Sequence, residues 1–133
     1  MRIFIDTNVL LSAALFPGGA AACAYEAAVS SPNRPIVSDY VVEELRTVFK
    51  RKFPEKLPAL DGFLASLSYA VEIVATPSDS CADEMGVRDS ADRPIVRAAL
   101  ASNADVLLTG DRDLLDSGID SLRIISPREF LES

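Results

Sequence analysis

No histidine occurs among the 133 residues, and that absence removes more chemistry than any other feature of the composition. Ser-His-Asp and Cys-His nucleophile systems need an imidazole base, and His-ligated zinc needs an imidazole donor. Cysteine is nearly as scarce: Cys23 and Cys81 stand far apart, with no metal-ligand spacing between them. Two isolated thiols fit a reducing compartment, and the expected location is cytoplasmic. Positive charge is also short, with 13 Lys and Arg against 20 Asp and Glu and a net charge of −7. Proteins that hold nucleic acid by bulk electrostatics are usually basic. A nucleic-acid partner here would need another device, such as a divalent ion that changes the local field. Long apolar runs are missing too, since no stretch approaches the ~20 residues of a membrane-spanning helix. The run Val9 to Phe16, behind Arg2 and ahead of Ala20 to Ala22, has the outline of a secretory signal. Asp6 and Asn8 sit where the apolar region of a signal should be unbroken, and Ser12 interrupts the run itself, so neither a signal peptide nor membrane association is expected.

What the chain has in quantity is apolar surface and carboxylates. With 49% hydrophobic residues, it is long enough to bury a core as one domain over residues 1–133. No internal boundary, repeat or low-complexity tract is visible. Ile3 to Ile5 is a short, wholly apolar segment of the kind that sits inside a parallel sheet with both faces covered. Gly18-Gly19 then breaks the chain, and Ala20 to Val29 reads as an alanine-rich helix ending at Ser30-Ser31-Pro32. Pro35-Ile36-Val37 is a second strand, and Ser38 or Asp39 caps a helix that Pro54 stops near Phe53. Lys56 to Tyr69 carries Leu60, Phe63, Leu64 and Leu67 at helical spacing, and Val71 to Val74 is strand-like. The loop Ala75 to Val87, rich in Ser, Pro and Asp, is the segment expected to be most mobile. Beyond it come a helix from about Asp92 to Ser102, the strand Val106 to Leu108 and a brief helix around Leu114-Leu115. The strand Leu122 to Ile125 and a last helical turn opened by Ser126 and Pro127 complete the chain. Strands alternating with helices predict a doubly wound parallel sheet of about four to five strands, a three-layer α/β/α sandwich.

In such sheets ligands collect beyond the carboxyl ends of the strands, and Asp6 stands there after the first strand. Asp111, after Thr109-Gly110, holds the corresponding place in the last third. Glu44 shares the apolar face of its helix with Val41, Leu45, Val48 and Phe49. A carboxylate on that stripe is costly unless it is paired, protonated or bound to a metal, or reaches solvent at the rim. Asp92 heads the face formed by Ile95, Val96 and Ala99, with Asp89 one turn earlier. Each acid has an ordinary explanation as well, since Asp92 sits at a helix start and Asp111 can cap a helix. Together they point to one sheet edge. Four converging carboxylates repel one another unless one or two hard cations join them, and oxygen-only ligation favours Mg²⁺ or Mn²⁺. Two ions suit in-line phosphodiester hydrolysis. Thr7, Asn8 and Thr109 are placed to orient water or a phosphate oxygen.

Asp6-Thr7-Asn8 after a first strand resembles the opening of the PIN-domain ribonucleases. The Ser38-initiated helix bearing Glu44, the run Asp89-Ser90-Ala91-Asp92-Arg93-Pro94-Ile95, and Thr109-Gly110-Asp111-Arg112-Asp113-Leu114 continue the resemblance in the family's order. The likeness covers nearly the whole chain and is nearest to bacterial toxin components of toxin–antitoxin pairs. It implies a Mg²⁺- or Mn²⁺-dependent endoribonuclease with Asp6, Glu44, Asp92 and Asp111 as catalytic metal ligands. Asn8 and Thr109 match supporting positions, and Asp89 and Asp113 are further candidates. The resemblance also implies RNA as substrate, a small antitoxin partner and a homodimer.

For the RNA itself, Arg46, Lys50, Arg51, Lys52 and Lys56 cluster near one helix end, and Arg93 and Arg97 share a helix face. Arg46, Lys50, Arg93 and Arg97 are candidate phosphate contacts, or else a solvated face balancing the acids. With so little basic excess, substrate binding is expected to be weak and sensitive to salt. Other readings of a carboxylate pocket on this sheet compete. A dehalogenase-type phosphatase needs an acid-base Asp two residues after its nucleophile, where this chain has Asn8. A receiver-like magnesium-binding module has no use for an inward Glu44. An RNA-processing nuclease that is not a toxin would carry the same acids.

Overall fold

Short apolar segments make the strands, and the computed structural model, which describes residues 1–133, sets five of them in one sheet. They are β1 (Arg2–Ile5), β2 (Arg34–Ser38), β3 (Glu72–Val74), β4 (Val106–Leu108) and β5 (Arg123–Ile125). Their order is β3-β2-β1-β4-β5, and every adjacent pair is parallel. The helices are α1 (Thr7–Leu15), α2 (Ala20–Val29), α3 (Asp39–Lys52), α4 (Leu57–Ala70), α5 (Arg93–Ala101), α6 (Arg112–Leu115) and α7 (Pro127–Glu132). With right-handed crossovers, the advance from β1 through β2 to β3 puts its helices on one face, and the return to β4 puts α5 on the other. The chain forms the expected three-layer α/β/α arrangement.

Ile3, Phe4, Ile5, Leu107 and Leu108 are completely buried, which is why the central strands read as unbroken apolar runs rather than alternating ones. Helix α3 buries Val41, Leu45 and Phe49 and leaves Glu43, Arg46 and Lys50 outside. Its start is fixed by Ser38, whose hydroxyl accepts from the Val41 amide at 3.2 Å. Ser126 and Glu129 form a reciprocal cap at the start of α7.

Two features go beyond the sequence expectations. Helix α1 occupies the run after Asp6, where Val9 to Leu15 offers almost no polar–apolar contrast from which a period can be read. The loop from Ala75 to Val87, expected to be the most mobile segment, is pinned. It carries a 3-10 turn at Ala82–Gly86, and Glu84 on that turn is 1% exposed. Arg97 of α5 reaches it with a bidentate pair at 3.0 and 2.8 Å and also donates to the Pro77 carbonyl at 3.0 Å. The guanidinium beside it holds the Glu84 carboxyl below its ordinary range.

No single helix is long and apolar enough to cross a membrane.

Candidate metal centre

The sheet order reverses between β1 and β4, and crevices at such reversals are where open α/β sheets take ligands. The register there pairs Ile5 with Leu108, so Asp6 and Thr109 leave the sheet side by side. The Asp6 amide still donates to the Leu108 carbonyl at 3.0 Å, extending the ladder to the acid itself. Asp6 caps α1 by accepting from the Thr7 amide at 2.7 Å. Its other oxygen accepts from the Thr109 hydroxyl at 2.7 Å and from the Asn8 carboxamide at 3.2 Å. Asp6 is therefore 3% exposed and held at both oxygens.

Thr7, Asn8 and Thr109 spend their hydrogen bonds on this framework. The Thr7 hydroxyl donates to Glu44 Oε1, tying the first turn of α1 to α3. Asn8 Oδ1 accepts from the Gly110 amide at 3.0 Å, and Thr109 Oγ1 accepts from the Asp111 amide at 3.0 Å. All three polar residues orient carboxylates and the β4 turn, rather than standing free for water or phosphate.

Asp92 comes from the opposite side, at the junction of a 3-10 turn (Ser90–Asp92) and α5. It is 9% exposed, and its Oδ2 is buried with no hydrogen-bond donor. Asp111 caps α6 by accepting from the Asp113 amide at 2.9 Å, and its carboxyl raises that of Asp92. Asp89, Asp92 and Asp113 also converge, with one oxygen from each lying within 4.8 Å of the others. Asp113 is held from outside by Arg88 at 2.6 Å. Of the four acids expected from the sequence, Asp6 feels the charges of Glu44 and Asp111, and Asp92 those of Asp111 and Asp6, while the three whose oxygens lie close enough to share an ion are Asp89, Asp92 and Asp113.

Burial pushes the Asp6 carboxyl up to about 6 against its hydrogen bonds from Thr109 and Thr7, and the Glu44 and Asp111 charges add to the rise. Burial, then Asp111, then Asp6 and Asp89 push Asp92 up to about 8. The oxygen-only donor set and the orphaned Asp92 oxygen fit a hard divalent ion.

The sign of the pH dependence follows. In the metal-free protein both groups hold protons more tightly folded than unfolded, so their stabilising contribution is full below about pH 4 and fades as pH rises towards 8. Asp6 alone makes this loss on the order of 3 kcal/mol. Mn²⁺ binding competes with those protons, so its affinity rises over the same interval. Thermal melts from pH 5 to pH 8 are expected to show a falling Tm without metal and a Mn²⁺-induced gain that grows with pH. A gain independent of pH would remove these two carboxyls from the site.

The sequence reasoning passed over Tyr40. Its hydroxyl donates to the Ala91 carbonyl at 2.5 Å, bracing the start of α3 against the turn that carries Asp89 and Asp92. Burial and then the Glu44, Asp92, Asp89 and Asp6 charges raise its phenol above the ordinary range. The only signal for it was its place two residues after the α3 cap.

The basic candidates differ in what they bind. Arg97 is committed through all three of its guanidinium nitrogens to Glu84 and Pro77, which corrects its expected role as a phosphate contact. Arg93 donates to the Val87 carbonyl at 3.0 Å through Nε, leaving its terminal nitrogens unpaired. Lys50, Arg51 and Lys52 occupy the last turn of α3, where cations favour the helix dipole. Arg46 is exposed on the same helix.

The PIN-domain family profile matches residues 2–113. The chain belongs to the PIN-domain family. The solved structure of VapBC2 from Rickettsia felis, bound to a DNA fragment from their promoter, is similar to it with a TM-score of 0.71 at 20% identity, covering 95% of this chain and 98% of that one. FitAcB from Neisseria gonorrhoeae gives a TM-score of 0.70 at 18% identity over 95% of this PIN domain and 98% of that chain. VapC20 from Mycobacterium tuberculosis, described as a sarcin-ricin loop cleaving toxin, gives 0.61 at 19% identity over 91% of this chain and 98% of that one. Identities this low establish a shared PIN fold. No curated protein sequence matches.

Proposed function

We propose that this PIN domain is a metal-dependent endoribonuclease and the toxin component of a bacterial toxin–antitoxin pair. The observation that supports the chemistry is Asp92 Oδ2, buried and without a donor, in an acidic neighbourhood where the charges of Asp6, Glu44 and Asp111 act on one another and on Asp92. Those four side chains would hold one or two Mg²⁺ or Mn²⁺ ions, with Asp89 and Asp113 bordering the same space. Bound ions supply Lewis acidity for in-line phosphodiester hydrolysis. Thr109, Asn8 and Thr7 keep Asp6 and Glu44 in place before any substrate arrives, so little reorganisation is left for the reaction. Tyr40 does the same for the turn bearing Asp89 and Asp92.

RNA as substrate is supported by the family resemblance and by the VapC20 likeness. The toxin role draws on the same structures, two of which are VapBC or FitAcB assemblies. A small antitoxin and a second copy of this chain are the partners proposed with it, in the cytoplasm. The phosphatase alternative loses ground on geometry. Asn8 is bound to Asp6 and Gly110, leaving no acid-base group two residues beyond Asp6.

The test is cleavage of mixed-sequence single-stranded RNA by the wild-type chain. Cutting is expected with Mn²⁺ or Mg²⁺ and is expected to stop with EDTA, with calorimetry showing Mn²⁺ binding in parallel. Expression without a partner is expected to arrest bacterial growth. Cleavage undiminished in EDTA, or no Mn²⁺ binding, would sink the metal mechanism. Cleavage without growth arrest would favour an RNA-processing nuclease.

A further inference from the structure

Two adjoining hollows lead away from the acid crevice along α1. The inner one, about 210 Å³, is lined by Asn8, Val9, Ser12, Ala21, Gly110 and Pro127. The outer one, about 350 Å³, shares Ser12, Ala21 and Pro127 with it and continues to Phe16, Gly19 and Arg128. They form one groove, and its inner end is walled by the Asn8 carboxamide that binds Asp6 at 3.2 Å. Its outer end is marked by Phe16, 64% exposed at the end of α1.

The chain is shaped to leave that ring outside. Gly18 has φ +89°, a left-handed turn that suits glycine. A side chain at Gly19 would approach the Phe16 carbonyl oxygen to 3.2 Å, so the close turn at the groove's rim favours glycine there too. Arg128 is exposed on the same rim and takes part in none of the four ion pairs. A flat apolar ring with a free guanidinium beside it suits a nucleobase and its phosphate. Stacking needs no base-specific hydrogen bonds, and arginine meets the backbone of any sequence.

We infer that this groove is an RNA-binding subsite, in which a nucleotide beyond those flanking the scissile phosphate stacks on Phe16 and its phosphate meets Arg128. The inference rests on the nuclease reading above. Eight residues of helix rise about 12 Å, so Phe16 engages a nucleotide beyond those beside the cleaved bond. A contact there would add to the hold on RNA of a chain whose net charge is −7. The contribution comes from stacking and shape.

The experiment is steady-state cleavage by the full chain with Mn²⁺, using single-stranded RNAs from two to ten nucleotides. In the wild type, KM is expected to fall about tenfold once the RNA is long enough to reach the ring. Phe16→Ala is expected to erase that length-dependent gain while kcat on long RNA stays the same, and Arg128→Ala to reduce it. Tyr69→Ala, which removes a 94% exposed aromatic from α4, is the control and is expected to keep the full gain. The same length dependence in Phe16→Ala as in wild type overturns the subsite. So does a loss falling equally on short and long RNA, which reports a general defect. If the wild type binds Mn²⁺ but cuts RNA of no length, the nuclease reading itself fails and takes the subsite with it.

Discussion

Asp6→Asn is expected to abolish metal-dependent RNA cleavage while leaving the protein folded. Asparagine retains an oxygen for the Thr7 amide, so the cap of α1 survives, and the Thr109 hydroxyl can reverse to face the new amide, with only the long bond from the Asn8 carboxamide lost. What disappears is the charge that a hard cation requires. Loss of groups that merely orient metal ligands already costs about 10–100-fold in affinity, so removing a ligand is expected to cost more than about a hundredfold. Calorimetric Mn²⁺ titration, a circular dichroism melt and the cleavage assay on one preparation separate the outcomes. Lost Mn²⁺ affinity with an unchanged fold supports the assignment. Wild-type Mn²⁺ affinity in Asp6→Asn places the ion elsewhere.

Arg97→Ala is expected to lower Tm by about 5–10 °C. The substitution strands Glu84, which is 1% exposed and otherwise bonded to the Cys81 amide. It also releases the Pro77 carbonyl, so the segment from Pro77 to Gly86 loses its anchor on α5. Asp89 and Asp92 follow that segment directly, and their spacing depends on it. Weaker Mn²⁺ binding is therefore expected alongside the lower Tm, although Arg97 is proposed to touch neither ion nor RNA. Adding Glu84→Gln removes the stranded charge and is expected to recover part of the Tm. A double variant no more stable than Arg97→Ala alone would show that the ion pair was not the source of the loss.

The parts of this molecule that were readable in its sequence are those where side-chain pattern and backbone state coincide. The apolar runs of β1 and β4, the Ser38 and Ser126 caps, and the extent of α2 all belong to this class. Glu44 stood out because an acid on the Val41–Leu45–Phe49 stripe needs a reason, and the fold sets it half-buried beside Thr7. Helix α1 escaped because a segment that is apolar all round has no period to display. Arg97 was misjudged because its partner lies 13 residues away across a loop whose composition reads as loose. Tyr40 was missed because its bond is to a backbone carbonyl, and sequence carries no mark of which carbonyl a phenol will meet. Long-range polar pairings of this kind are set by the packing of elements, and they appear only once the topology does.

The strand order has a further consequence. β3, β2 and β1 come from the first part of the chain and lie together, while β4 and β5 come from the last part and lie together. The division between them is the β1/β4 seam, and the acids are shared across it. Asp6 and Glu44 belong to one half, and Asp92 and Asp111 to the other. An ion gripped from both sides would act as a clasp between two half-sheets, and slippage along the seam would release it before either half unravelled. The β1–β4 ladder and the shared core hold the seam by themselves, so metal affinity would report its register rather than create it. A preparation that has lost its ion would stay folded across the seam yet be inert at the line where the halves meet.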